Sequence, residues 1–178
     1  MKSYYPLLAT IFTIAGNYII PSISGKSIGG VAGTQLEASP ASWAFSIWGF
    51  IYIGLLHVTS KIADNTIKWN NMSIALYIIS CVLNLSWIYC WLTERLKISP
   101  FLLSGIAFTL TVLWFININS SEKRIYQNII SAYVAWTVGA SVLNFFIVYG
   151  SDNVKSSKYI IYLLSASQIL WQIFQNGD

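Results

Sequence analysis

Aromatic and amide side chains recur at helical spacing in three apolar segments of this chain. The spacing i, i+3, i+7 aligns side chains along one helix face, because a turn contains about 3.6 residues. Indole rings bind flat apolar molecules by stacking and dispersion, and carboxamides add directional hydrogen bonds. If the three faces meet, they predict an aromatic chamber for a planar hydrophobic ligand. The three stripes are Phe45, Trp48 and Tyr52; Asn84, Trp87 and Trp91; and Tyr133, Trp136 and Ala140, with Asn144 one turn on.

Each stripe also has a purely structural interpretation. Large rings fill the space between packed helices, and tryptophan is common where a membrane span meets water. A carboxamide in hydrocarbon needs a hydrogen-bond partner. Asn84 and Asn144 could therefore bond to a neighbouring helix instead of to a ligand. A ligand-binding wall and a helix seam are therefore both open interpretations of the stripes.

The distribution of charge indicates which elements carry the stripes. Only 9% of the residues are charged and 56% are hydrophobic, whereas soluble domains contain roughly 25% charged residues. A bilayer core of about 30 Å is crossed by about 20 apolar helical residues. Stretches without any charged residue cover 3–25, 38–60, 69–93, 98–121, 125–151 and 159–177. The sequence therefore predicts a multi-pass integral membrane protein in contact with the lipid bilayer.

The predicted architecture is a single all-α transmembrane bundle formed by residues 1–178. Spans are expected at about 4–22, 42–60, 72–93, 98–118 and 126–149, with a further C-terminal helix at about 159–174. That sixth helix is either a short span or a helix lying in the interface. Short connections predict that consecutive spans are antiparallel neighbours. The first connection is a glycine-rich loop that either covers the mouth of the chamber or lies free of it.

Missing residue types narrow the range of functions. No Asp, Glu, Lys or Arg falls inside a predicted span, which argues against a proton relay, an ion pump or a retinal Schiff base. No metal-ligand or nucleophile motif occurs in the sequence, so no catalytic or metal-ligating residue is assigned. His57 is a candidate haem ligand, although a lone histidine near a helix end is more often interfacial. The net charge of +4 comes from residues flanking the spans and predicts no nucleic-acid partner.

The same stripes resemble motifs of the TspO/MBR family, the tryptophan-rich sensory proteins and translocator proteins. The family's second-span pattern, Pro-x-x-Trp-x-Phe-x-x-Trp-x-x-(Leu/Ile)-Tyr, is similar to Pro40, Trp43, Phe45, Trp48, Ile51 and Tyr52. Its third-span pattern, Leu-Asn-x-x-Trp, is similar to Leu83, Asn84 and Trp87. Its fifth-span pattern, Pro-Tyr-x-x-Trp-x-x-x-Ala-x-x-Leu-Asn, is similar to Tyr133, Trp136, Ala140, Leu143 and Asn144, with Ala132 replacing the proline.

The resemblance implies a TspO-like five-helix bundle, often a homodimer, with a pocket that accepts tetrapyrroles and in some members sterols. The matching pocket positions are Trp48, Asn84, Trp87, Trp136, Ala140 and Asn144. No cofactor is expected to be required, and porphyrin or haem is a candidate ligand. The expected function is a membrane receptor or translocator. The alternatives are a porphyrin-degrading membrane enzyme and a structural membrane protein without a ligand. The glycine-rich first loop and the sixth helix depart from the family pattern.

Overall fold

The described part of the chain is helical throughout its regular structure. The computed structural model describes residues 3–35, 46–117 and 124–150. Phe45, Trp43, Pro40 and the predicted sixth helix at about 159–174 lie outside these residues. The helices are α1 (Tyr5–Ser24), α2 (Ile28–Gln35), α3 (Ile47–Ala63), α4 (Asn71–Leu92), α5 (Ser99–Asn117) and α6 (Arg124–Tyr149).

The helices have the length and the outer surface of a membrane bundle. Four of them, α1, α4, α5 and α6, are long and apolar enough to cross a bilayer, and α3 is a shorter apolar helix. Phe12, Phe50, Ile53 and Phe108 point outward and are each at least 67% exposed. An apolar surface of this kind suits hydrocarbon, and a helix leaves few backbone groups unpaired there. The predicted multi-pass helical membrane protein is confirmed.

Local capping interactions set helix boundaries that hydropathy alone does not fix. α1 extends to Ser24, where Gly25 adopts a φ of 66° and its N–H donates to the Pro21 carbonyl at 2.9 Å. Glycine favours this left-handed conformation because it has no Cβ. α4 begins at Asn71 because the Asn70 side chain accepts a hydrogen bond from the Ser73 N–H at 2.7 Å. α3 ends at Ala63, which is about one turn beyond the predicted end.

The glycine-rich first connection is not a loop throughout, which corrects the sequence-based expectation. Residues Ile28–Gln35 form α2, whose sequence IGGVAGTQ contains three glycines. Each glycine disfavours a helix by about 1 kcal/mol relative to alanine, so local propensity argued against this helix. Tertiary contacts hold it instead. The Trp91 Nε1–H donates to the Ile28 carbonyl at 3.1 Å, and the Val31 side chain is buried.

The five apolar helices form a ring in the order α3, α1, α4, α5, α6, with α6 packed against α3. The consecutive pairs α4–α5 and α5–α6 are neighbours, as predicted. The prediction is wrong for α3 and α4, because α1 packs between them. These two helices approach each other through aromatic side chains in the middle of the ring, where the Trp48 and Trp87 ring centroids are 6.0 Å apart. The interior space left by this arrangement is where the candidate site forms.

Candidate ligand-binding site

Trp48 lies in the middle of the ring and is surrounded by aromatic side chains from three helices. Tyr52 stacks on it with a centroid distance of 5.6 Å, and Trp87 of α4 lies at 6.0 Å. Tyr133 and Trp136 of α6 meet it edge to face at 5.9 and 6.2 Å. Offset and edge-to-face pairs at these distances are favourable beyond the area that they bury. The structure therefore turns the stripes of α3, α4 and α6 toward one another.

A small cavity lies beside this aromatic cluster, toward the end of the bundle that carries α2. Its wall contains six of the residues singled out from the sequence, namely Trp48, Trp87, Trp91, Trp136, Ala140 and Asn144. Four apolar residues that the stripes did not identify complete the wall: Ile28, Leu103, Leu143 and Ile147. Leu143 belongs to the fifth-span pattern already quoted, and Ile147 follows Ala140 at i+7, which is the sequence signal for it.

The cavity in the described form is far smaller than a typical ligand pocket. Its volume is about 30 Å³, which is room for about one or two water molecules. Pockets that hold drug-sized molecules measure roughly 300–1,000 Å³. A planar ligand would therefore bind only after the walls separate.

Tyr52 and Asn84 do not line the cavity and lie about one turn further into the bundle. Asn84 is fully buried, and its Oδ1 accepts hydrogen bonds from the Asn17 Nδ2–H at 2.7 Å and from the Tyr52 hydroxyl at 3.4 Å. The first bond connects α4 to α1, which is the structural role that the sequence left open for this amide. Asn17 shares one face of α1 with Thr10 and Thr13, which are both buried.

Asn144 also bonds to a neighbouring helix while it faces the cavity. Its Oδ1 accepts a hydrogen bond from the Ser99 hydroxyl at 2.9 Å, which connects α6 to the first residue of α5. Both groups are almost fully buried. The bond fixes the orientation of the Asn144 carboxamide at the cavity wall.

Three buried N–H donors around the cavity have no acceptor among the described residues. They are the Nδ2 group of Asn84 and the Nε1 groups of Trp87 and Trp136. A buried donor without a partner costs about 1–3 kcal/mol, so each requires an explanation in a folded interior. By contrast, Trp91 on the same cavity wall donates its Nε1–H to Ile28. Trp87 and Trp136 line the cavity, whereas Asn84 lies about one turn away from it.

An aromatic interior inside a membrane bundle agrees with the comparison against known families. The model of a family described as TSPO-like protein matches residues 3–175, which include every described helix and all three stripes. The chain belongs to the TSPO-like protein family. No curated protein and no solved structure matches it. The family resemblance drawn from the stripes is confirmed, together with the helical membrane architecture that it implied.

In this TSPO-like protein, α2 covers one side of the cavity and we call it the lid. Ile28 lines the cavity, and its carbonyl accepts the Trp91 hydrogen bond. Just before the lid, Lys26 forms an exposed ion pair with Glu94, which follows the end of α4. The lid packs chiefly against α4. The described part of this connection therefore reaches the cavity through Ile28, and residues 36–45 lie outside the described part.

His57 lies apart from the site of this TSPO-like protein. Its side chain is exposed, stacks on Tyr126 at a centroid distance of 6.3 Å, and is not part of the cavity wall. Within residues 3–35, 46–117 and 124–150, His, Cys, Asp and Glu form no group of three or more that could hold a metal ion. The geometry therefore gives His57 no route to a ligand bound in the cavity.

Proposed function

We propose that this TSPO-like protein binds a planar, mostly apolar molecule from the bilayer in the space between α3, α4 and α6. Tetrapyrroles and sterols are the ligand classes that the family resemblance implies. The proposal is carried by one observation, a cavity walled by four tryptophans, of which Trp87 and Trp136 have buried Nε1–H groups without an acceptor among the described residues. Helix packing alone accounts for the rings but not for the donors, because buried polar groups in proteins are normally paired.

In this proposal the lid moves when a ligand binds, and two described polar contacts connect the lid region to the end of α4. The Trp91 to Ile28 hydrogen bond contributes about 0.5–1.5 kcal/mol, and an exposed ion pair such as Lys26–Glu94 contributes about 0–1 kcal/mol. Gly25, in the left-handed conformation, connects the lid to α1. Because only open molecules bind, the observed affinity equals the intrinsic affinity multiplied by the fraction of open molecules. A less firmly held lid increases that fraction and therefore raises the observed affinity.

The test is a titration of tryptophan fluorescence with protoporphyrin IX and, separately, with a fluorescent sterol in lipid nanodiscs. We expect saturable quenching or energy transfer at micromolar concentrations. Trp136→Phe should weaken it, because Trp136 lies on the cavity wall. Trp69→Phe is the matched control, since Trp69 packs against Tyr77 near the start of α4 and does not line the cavity. Absence of a saturable signal with both probes would contradict the proposal.

The second candidate function is a structural membrane protein that binds no small molecule. It is favoured by the small volume of the cavity, about 30 Å³, and by the interhelical bonds of Asn84 and Asn144. In that case Trp136→Phe changes the thermal stability of the bundle, and neither probe binds to the wild type. The same titration therefore separates the two candidates.

A further inference from the structure

Three exposed aromatic side chains cluster on the outer surface of the bundle, where α5 begins and α6 ends. Phe101, Phe145 and Tyr149 are 60%, 37% and 54% exposed. Phe101 lies 5.6 Å from Phe145 and 6.3 Å from Tyr149 between ring centroids, and the last two rings are 6.0 Å apart. None of the three lines the cavity. We call these three side chains the aromatic patch.

The aromatic patch is joined to the turn between α4 and α5, which carries two exposed cations, Arg95 and Lys97. The Tyr149 hydroxyl donates a hydrogen bond to the Lys97 carbonyl at 2.9 Å. The Phe101 N–H donates to the Ile98 carbonyl, so the turn continues directly into α5. Lys97 precedes Phe101 by four residues, which is about one helical turn. A positive side chain therefore lies about one turn from the rings, nearer the end of the span.

The described residues offer these two cations no carboxylate. Residues 3–35, 46–117 and 124–150 contain two carboxylates, Asp64 and Glu94, and each of these pairs with a different lysine from that of the turn. The Arg95 guanidinium lies over the Tyr89 ring, 5.6 Å from its centroid. A cation–π contact leaves the positive charge in place. Arg95 and Lys97 therefore keep this part of the described surface positive.

Exposed rings next to cations without a carboxylate match the two parts of an anionic phospholipid. α5 and α6 are both long and apolar enough to cross a bilayer, so lipid acyl chains are the neighbours of rings on their outer surface. Basic side chains at the end of a span attract anionic lipid head groups. A zwitterionic lipid gains less from them, because it carries its own ammonium beside the phosphate. The rings favour a lipid over a free phosphate, which would leave them without a partner.

From these observations we propose that the aromatic patch and Lys97 form a binding site for one anionic phospholipid of the surrounding bilayer. The Lys97 ammonium pairs with the lipid phosphate, and Arg95 adds to the positive potential. An acyl chain lies against Phe101 and Phe145. The site is on the outside of the bundle, so the inference goes beyond the proposed function and does not depend on it.

The first experiment measures which lipids stay bound when the protein is released from nanodiscs of equal phosphatidylglycerol and phosphatidylcholine, by native mass spectrometry. One basic side chain near an anionic lipid favours its binding by about fivefold. We expect phosphatidylglycerol to be retained at least about fivefold more than phosphatidylcholine, and Lys97→Gln to lower this preference by about fivefold. Lys68→Gln is the matched control, because it removes the same charge in the turn before α4 and should leave the preference unchanged.

The same measurement tests the rings. Phe101→Leu should reduce the retained phosphatidylglycerol by about twofold or more, because it removes a ring from the aromatic patch. Phe108→Leu is the control on the same helix, since Phe108 is 69% exposed and lies outside the patch. It should leave retention at the wild-type level.

A second measurement uses the wild-type protein and does not depend on variants that fold. Phosphatidylglycerol added to phosphatidylcholine nanodiscs should shift the amide NMR signals of Ile98 and Phe101, and the shift should saturate. The amide signal of Ser73, at the start of α4, should not move. Inorganic phosphate at millimolar concentration should shift none of the three signals.

The outcomes separate this inference from the proposed function. If both lipids are retained equally, or if Lys97→Gln and Lys68→Gln lower the preference equally, the inference is wrong and the cations act as ordinary flanking charges. If Phe108→Leu reduces retention as much as Phe101→Leu, or inorganic phosphate causes the same shifts as the lipid, the inference is also wrong. None of these results alters the titrations with protoporphyrin and the sterol, which test the cavity.

Discussion

The two ends of the bundle interior treat their polar groups differently. At the end where α4 begins, the Thr10 hydroxyl lies 2.7 Å from the Tyr77 hydroxyl and donates to Thr59 at 3.2 Å. The Asn117 Nδ2–H donates to the Ser73 hydroxyl at 3.1 Å in the same half. Toward the lid, the side-chain donors of Asn84, Trp87 and Trp136 have no acceptor within the described chain.

Two of the unpaired donors belong to cavity-lining residues, Trp87 and Trp136, and the third belongs to Asn84, about one turn away. Helix α4 supplies both Tyr77 and Trp87, which are about 15 Å apart along its axis at 1.5 Å per residue. One helix therefore has a hydrogen-bonded hydroxyl at one level and an indole N–H without an acceptor at another. We call the end with Thr10 and Tyr77 the paired half and the end with the cavity the cavity half. The cavity half also contains the bonds of Ser99 to Asn144 and of Trp91 to Ile28, and it is where the proposed ligand would bind.

The largest expected effect on ligand affinity comes from filling the cavity with a larger side chain. Ala140 is the smallest side chain on the cavity wall, so Ala140→Phe should occupy the space that a ligand needs. We expect the dissociation constant for protoporphyrin to rise at least about tenfold, a loss of about 1.4 kcal/mol. Val82→Phe is the control, because Val82 is 59% exposed on the outer surface and should leave binding unchanged. Unaltered binding by the Ala140 variant would remove the distinction between the two halves.

A substitution in the paired half should lower the stability of the bundle and leave ligand affinity unchanged. Tyr77→Phe removes a buried hydroxyl that bonds to Thr10, and it should lower the free energy of unfolding by about 1 kcal/mol. Ligand affinity should stay the same, since Tyr77 does not line the cavity. Thermal unfolding in micelles, combined with the fluorescence titration, measures both quantities. A fall in affinity with unchanged stability would show that the paired half belongs to the site.

The lid provides a kinetic test of the cavity half. Trp91→Phe removes the hydrogen bond to the Ile28 carbonyl. Amide exchange at Val31, whose N–H donates to the Ser27 carbonyl, should quicken by about two- to tenfold if opening becomes about 0.5–1.5 kcal/mol easier. Glu94→Gln breaks only the exposed ion pair with Lys26 and should change exchange by less. Equal exchange in all three proteins would mean that these contacts do not hold the lid.

The smallest expected effect lies in the turn after α3, outside the membrane. Hydrogen bonds from the Thr66 side chain and N–H, with the nearby Lys61, lower the pKa of Asp64 from its usual value. Because the folded pKa lies below the unfolded one, these contacts stabilise the fold above the unfolded pKa. This contribution is lost as the pH falls through the folded pKa. Asp64→Asn should slightly reduce the acid dependence of stability without altering ligand binding, as thermal unfolding at pH 3 to 7 would measure.

The positions of the membrane helices could be predicted because hydropathy and helical period are local properties. The stretches without charged residues predicted the ends of α1 and α3–α6 to within about one turn, apart from the start of α3, which adjoins residues outside the described part. The i, i+3, i+7 spacing correctly predicted that Trp48, Trp87 and Trp136 face the interior. The lid helix could not be predicted in this way. Its glycines disfavour a helix, and the contacts through Trp91 and Val31 that hold it come from residues distant in sequence.

The sequence by itself determined that this chain is a helical membrane protein of the TSPO-like family with three aromatic faces. Only the tertiary structure decided that α1 separates α3 from α4, that Asn84 bonds to Asn17, and that the cavity beside the lid measures only about 30 Å³. The physical reason is that a residue's spacing fixes its face on its own helix. The order of helices around the ring, and the packing of side chains between them, then decides what that face meets.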